Sequence, residues 1–269
     1  MTEPVSLPDE QRWQRESEYF DAQEYSSELI SNEVLERYVK CERPYLLAEY
    51  LFWRLGDVRG KRVLEVGCGD GTNALILALK GATVVGIDLS QRAVATAERR
   101  AARHALGDRA RFVCGPIERS LRDEAKFDVI AGFAVLHHLL PSLPDLLSEM
   151  KRHGHSQTEY IFQEPVNLSP LLRRLRLAMP VSVSGTPDER PLERSDLALI
   201  TRHFRDVEIK HFHGLSRFAA RFLLGNGAYE GRAWWRKAGY CSSSRADRLL
   251  FDRLNLKALS SCAVIYARG

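Results

Sequence analysis

The segment Glu65-Val66-Gly67-Cys68-Gly69-Asp70-Gly71-Thr72 constrains this chain more than any other. It closes the short run Val63-Leu64-Glu65-Val66, and its three alternate glycines allow a sharp turn and a close approach of bare main chain to a ligand. A second β-branched run, Thr83-Val84-Val85-Gly86-Ile87, stops at Asp88. A glycine loop ending one strand and a carboxylate ending the next is how an open α/β sheet holds a nucleoside at its carboxyl edge, because the acid can accept both ribose hydroxyls.

The neighbouring segments keep the same rhythm. Helical spacing over 73–80 ends at Gly81, and Ser90 caps a second helix that runs to His104. Arg111–Cys114, Phe127–Ala131 and Glu159–Gln163 read as further buried strands, with a helix over Leu143–Arg152 between the last two. Asp206–Phe212 and Ser261–Ala267 make a sixth and a seventh strand. Short apolar runs alternating with helices predict an α/β fold, a Rossmann-like seven-stranded sheet that is mostly parallel. Residues 1–58 are polar, aromatic and helical in spacing and read as an N-terminal arm. The sheet domain then covers 59–269, with insertions at about 165–205 and 213–260 that read as a cap.

Composition removes several classes. The 39 basic and 35 acidic side chains leave a net charge of +4, and 45% of residues are hydrophobic, so the chain is neither disordered nor collagen-like. No apolar run approaches the ~20 residues of a membrane span, which excludes stable membrane insertion. The modest charge and the lack of an RNA-binding module argue against nucleic acid. The five cysteines include no C-x-x-C pair, which points away from zinc and disulfides and towards a reducing, cytoplasmic setting. Met1–Glu10 lacks the basic-then-apolar order of a secretion signal. No metal site is expected, and Asp128 reads as a structural acid.

The glycines follow G-x-G-x-G, with Glu65 two residues ahead, not the G-x-G-x-x-G of dinucleotide-binding sheets. This pattern resembles the class I S-adenosylmethionine (SAM)-dependent methyltransferases of small-molecule type, over about residues 60–165. The resemblance implies that Glu65, Gly67, Cys68, Gly69 and Gly71 form the loop around the methionine end of SAM. Asp88 would hold the ribose, Leu89 and Ile117 would pack on the adenine, and Phe133 would sit by the SAM amino group. Glu18-Tyr19-Phe20-Asp21 and Arg37-Tyr38 resemble a lid, with Tyr19 and Tyr38 as its cofactor contacts. It also implies an antiparallel last strand. Where the family often places an acid after strand three, this chain has Pro116. The turn Arg152-His153-Gly154-His155-Ser156 also departs from the family.

The segments Leu136-His137-His138-Leu139 and Phe162-Gln163-Glu164-Pro165 resemble the family's exits from strands four and five. They nominate His137, His138 and Glu164 as catalytic candidates, either histidine as a general base and Glu164 as a proton acceptor or a cation contact. Each also has a plain structural reading. The implied activity is methyl transfer from SAM to an O, N or C nucleophile of a small molecule, with S-adenosylhomocysteine (SAH) as product. A biosynthetic intermediate of specialised metabolism is the expected acceptor. Two alternatives stand beside it, an NAD(P)-dependent oxidoreductase and a SAM-binding protein without turnover. The long arm and insertions allow a homo-oligomer without fixing its number. Further along, His211 and His213 alternate on one strand face, and Leu171–Arg176 with Met179 forms a basic amphipathic run. Trp234 and Trp235 suit a pocket, an interface or the core.

Overall fold

The computed structural model describes residues 9–121, 124–170, 189–225 and 229–269. The basic run Leu171–Arg176 and Met179 lie outside them. Three helices come first, α1 (Asp9–Asp21), α2 (Asn32–Lys40) and α3 (Leu47–Leu55). Then follow β1 (Arg62–Val66), α4 (Thr72–Leu79), β2 (Thr83–Asp88), α5 (Gln91–Arg103), β3 (Ala110–Cys114), α6 (Ile117–Ser120), β4 (Phe127–Phe133), α7 (Leu143–Arg152) and β5 (Gly154–Pro165). The last part holds α8 (Arg194–His203), β6 (Arg205–Phe212), α9 (Leu215–Leu223), α10 (Trp234–Arg248) and β7 (Cys262–Arg268).

The strands form one seven-stranded sheet in the order β3-β2-β1-β4-β5-β7-β6. β1 to β5 pair in parallel, and β7 runs antiparallel to both β5 and β6. The antiparallel last strand therefore sits inside the sheet. Both faces are covered, which is why the strands read as continuous apolar runs. Along β1, Val63 joins the core beneath α3, α4 and α5, while Leu64 and Val66 join the core beneath α7 and α8. Strand order reverses between β1 and β4, which opens a crevice at their carboxyl ends.

The arm and the second insertion meet each other. Arg37 on α2 pairs with Glu230, Lys237 on α10 with Glu33, and Arg248 donates to the Pro44 carbonyl. This insertion thus packs beside β6 and the arm, and it contributes nothing to the walls of the crevice among the described residues. The expected cap is corrected on this point: charge pairs hold the insertion to the side. Trp234 and Trp235 are 80% and 51% exposed, so neither belongs to the core. Asp128 accepts from the Arg62 main-chain N–H at 2.7 Å, the structural role expected of it.

His211 is buried on β6 with its Nδ1 3.0 Å from Ser260 Oγ. Burial, together with Lys257 and Lys210, lowers it to about 4 against an opposing pull from Asp252. The unfolded chain takes up that proton near 6.5 and the folded chain does not. The unfolded state therefore binds more protons between those values, and stability falls as pH drops through the window. The expected loss is about 2 kcal/mol between pH 7 and pH 4.5. Urea unfolding of wild type and His211→Gln at both pH values checks it, and an equal loss in the two proteins would refute the assignment.

Candidate active site

The glycine loop takes its shape from positions where a side chain has no room. Gly67, Gly69 and Gly71 have φ of +68°, +51° and +77°. A Cβ on Gly67 would lie 2.5 Å from Val135, and one on Gly71 would lie 2.8 Å from Ala97. At Gly69 it would meet nothing within 4 Å, so the loop turns bare main chain to open space there. Beneath the loop, the Arg100 guanidinium, itself buried, donates to the Asp70 carbonyl and Thr72 Oγ1, both at 2.8 Å, and to the Glu28 carbonyl at 2.9 Å. One residue of α5 therefore ties the loop to the arm.

Asp88 closes the other side. Its carboxylate accepts from the Gly69 N–H at 2.8 Å and the Ser90 N–H at 2.9 Å. Burial pushes its carboxyl up, and those N–H groups pull it back. The carboxylate keeps acceptor capacity for a ligand hydroxyl. Glu65 is also buried, on the face that carries α4, and burial pushes its carboxyl well above the usual carboxylate range.

Between the loop and the strand ends lies a cavity of about 260 Å³. Its walls are Val66, Gly67 and Gly69 after β1, Ile87, Asp88 and Leu89 after β2, Pro116, Ile117 and Glu118 after β3, and Phe133, Val135, His138 and Leu139 after β4. The roof is α1, which presents Arg12, Trp13, Glu16 and Phe20. Asp21 fixes this roof by accepting from Ser90 Oγ at 2.6 Å and from the Arg92 N–H at 3.1 Å, at the N-terminus of α5.

At the β4 exit Glu164 is fully buried. Its Oε1 accepts from the Val135 and Leu136 N–H groups at 2.9 and 2.8 Å, and its Oε2 lies 2.9 Å from His137 Nδ1. Both oxygens are thus spent on the β4–α7 loop, and the carboxylate does not face the cavity. Glu164 is accordingly corrected from a proton acceptor or cation contact to a positioning residue. His138 does face the cavity, with its ring 4.0 Å from that of His137 and edge-on to Phe20 at 5.3 Å. Burial and the His137 ring hold His138 below the ordinary imidazole range.

The structure therefore brings Gly67, Gly69, Asp88, Leu89, Ile117, Phe133 and His138 to one cavity, with His137 behind them. Cys68 and Gly71 pack under the loop instead. Tyr38 lies outside the cavity: its ring packs on Phe52, and its hydroxyl accepts from Arg37. Tyr19 also lies off the lining, because residues 12, 16 and 20 share a helix face and its neighbour Phe20 takes the inward position. Arg12, Trp13, Glu16 and Glu118 are lining residues that the sequence reading missed. The i, i+4, i+8 spacing of the first and third with Phe20 was the available signal.

Residues 63–156 match the family described as "Methyltransferase domain". Over that segment the chain is similar to the class I SAM-dependent methyltransferases. Over 82 residues the chain is 35% identical to the ubiquinone biosynthesis O-methyltransferase of Coxiella burnetii, a match that covers 30% of this chain and 34% of that protein. The chain thus spans about a third of the length of the curated relatives it matches. Two solved structures share the fold over nearly the whole chain. Geranyl diphosphate C-methyltransferase from Streptomyces coelicolor A3(2) is 15% identical with a TM-score of 0.58, covering 99% of both chains. The [4+2]-cyclase SpnF is 20% identical with a TM-score of 0.54, covering 96% of both.

SAM is the cofactor of this domain family, and the residues present fit it. The bare main chain at Gly69 and the two acceptor oxygens of Asp88 open on one cavity whose flanks at Leu89, Ile117 and Phe133 are apolar. Pro116 does not break the β3 exit. It starts α6 in an extended conformation, which carries Ile117 and Glu118 to the wall.

Proposed function

We propose that the chain binds SAM in this cavity and transfers its methyl group to an O, N or C nucleophile of a small biosynthetic intermediate of specialised metabolism. The juxtaposition of Asp88 with the open backbone of Gly69 carries this reading. Bound SAM supplies a methyl on a sulfonium, which needs alignment with its acceptor more than it needs a strong base. In this reading Gly67 and Gly69 hold the methionine end, Asp88 the ribose, and Leu89 and Ile117 the adenine. The acceptor takes the space bounded by Phe20, Phe133 and His138, and His138 is the histidine placed to act on its proton.

The roof of α1 supports a small acceptor over a polymer, because the arm lies across one side of the cavity. The curated relatives are O-methyltransferases of ubiquinone biosynthesis, which supports an oxygen nucleophile. All five cysteines are free, in keeping with a cytoplasmic enzyme. Titration calorimetry of the full chain with SAM, SAH and NAD(H) tests the reading. We expect one SAM or SAH per chain with micromolar affinity and no response to NAD(H). Binding of NAD(H) in place of SAM, or of neither, would overturn it.

A further inference from the structure

We propose that His137, His138 and Glu189 form a binding site for a divalent transition-metal cation at the acceptor end of the cavity. The inference rests on the proposed acceptor space, but the site itself is built from groups that do not hold SAM in that reading. One donor atom from each of the three lies within 4.8 Å of the others. Two imidazole nitrogens and a carboxylate oxygen suit zinc, iron, cobalt or manganese better than magnesium or calcium.

Three observations support the assignment. First, the His137 Nδ1 faces Glu164 Oε2 at 2.9 Å, and that carboxylate is fully buried. A proton held on Nδ1 leaves Nε2 as the basic nitrogen, the carboxylate–histidine arrangement that orients metal ligands. Second, His138 Nδ1 lies 2.8 Å from Glu189 Oε1. Two ligands of one cation stand about that far apart, so a single ion can reach both. Third, Glu16 Oε2 approaches the same nitrogen at 3.9 Å from the roof, which adds negative charge beside the site. The site also has a reason to be where it is. A cation beside Phe20 and the cavity mouth would bind an acceptor oxygen and lower its pKa, taking over from His138 the action on the acceptor's proton.

Sequence pattern alone offers no such site, since Glu189 comes from the far side of the first insertion. The test uses the full chain stripped with a chelator and titrated with Co²⁺ alone, read by visible absorption. We expect one equivalent of Co²⁺ to give d–d bands, displaced by Zn²⁺. Glu189→Gln and His137→Ala should each weaken Co²⁺ binding by ~10-fold or more, while His211→Ala should leave it unchanged. SAH calorimetry on the same proteins reports the fold and the cofactor reading separately. Loss of SAH binding in wild type would sink the methyltransferase reading and leave the metal result standing. Retained SAH binding with no Co²⁺ bands, or with bands indifferent to Glu189→Gln, would overturn the metal site alone.

Discussion

Asp88→Ala removes SAH binding to the limit of calorimetry and lowers the melting temperature in the same protein. Two effects add. The substitution deletes the acceptor of the Gly69 and Ser90 N–H groups at the half-buried edge of the cavity. Leaving the buried Ser90 N–H unpaired costs ~1–3 kcal/mol, or several degrees of melting temperature in a chain of this size. The ligand then loses two hydrogen bonds from ribose hydroxyls to a charged acceptor, at ~1.5–3 kcal/mol each. That is at least a hundredfold in affinity. Asp88→Asn separates the two effects. Its amide oxygen still serves one N–H, while its NH₂ faces the other donor, so stability should fall less than in the alanine variant and affinity should still fall more than tenfold. SAH affinity within about threefold of wild type in Asp88→Ala would remove the carboxylate from the ribose role.

What the sequence revealed follows from how local each cause is. Strands β1, β2 and β4 were legible because strands buried on both faces are largely apolar, as Val63, Leu64 and Val66 of β1 and Val129–Ala131 of β4 show. The start of helix α5 was legible because Ser90 accepts from the Ala93 N–H, a bond within four residues. The glycine loop was readable for the same reason, as only glycine tolerates its positive φ beside Val135 and Ala97. Causes that span the chain were not readable. Helical spacing groups Phe20 with Arg12 and Glu16, but which face of α1 turns inward is set only when it docks on α5, and nothing near Glu189 indicates that it meets His138. The second insertion was misplaced over the sheet because its position depends on surface charge pairs such as Arg37 with Glu230, which leave no periodic trace.

Glu164 offers the sharpest contrast between two substitutions at one position. Glu164→Ala strips the acceptor from the N–H groups of Val135 and Leu136, and from His137, at a site with no solvent. Removing one partner of such a buried charged network costs ~3–5 kcal/mol, so a fall of roughly 10 °C in melting temperature is expected. Glu164→Gln should behave otherwise. Its amide oxygen can keep the Val135 and Leu136 N–H groups, and its NH₂ then faces His137 Nδ1. That contact is satisfied when the imidazole carries its proton on Nε2. Only the long 3.3 Å contact with the His137 N–H loses its acceptor, a cost of ~1 kcal/mol. The glutamine protein should therefore melt within a few degrees of wild type. It should nevertheless bind Co²⁺ far more weakly, because the tautomer that satisfies the amide puts the proton on the nitrogen the metal needs. Thermal melts and Co²⁺ titration of the two variants decide the matter. Equal melting temperatures for Gln and Ala would show that the carboxylate's charge, and not the acceptor geometry, holds the loop.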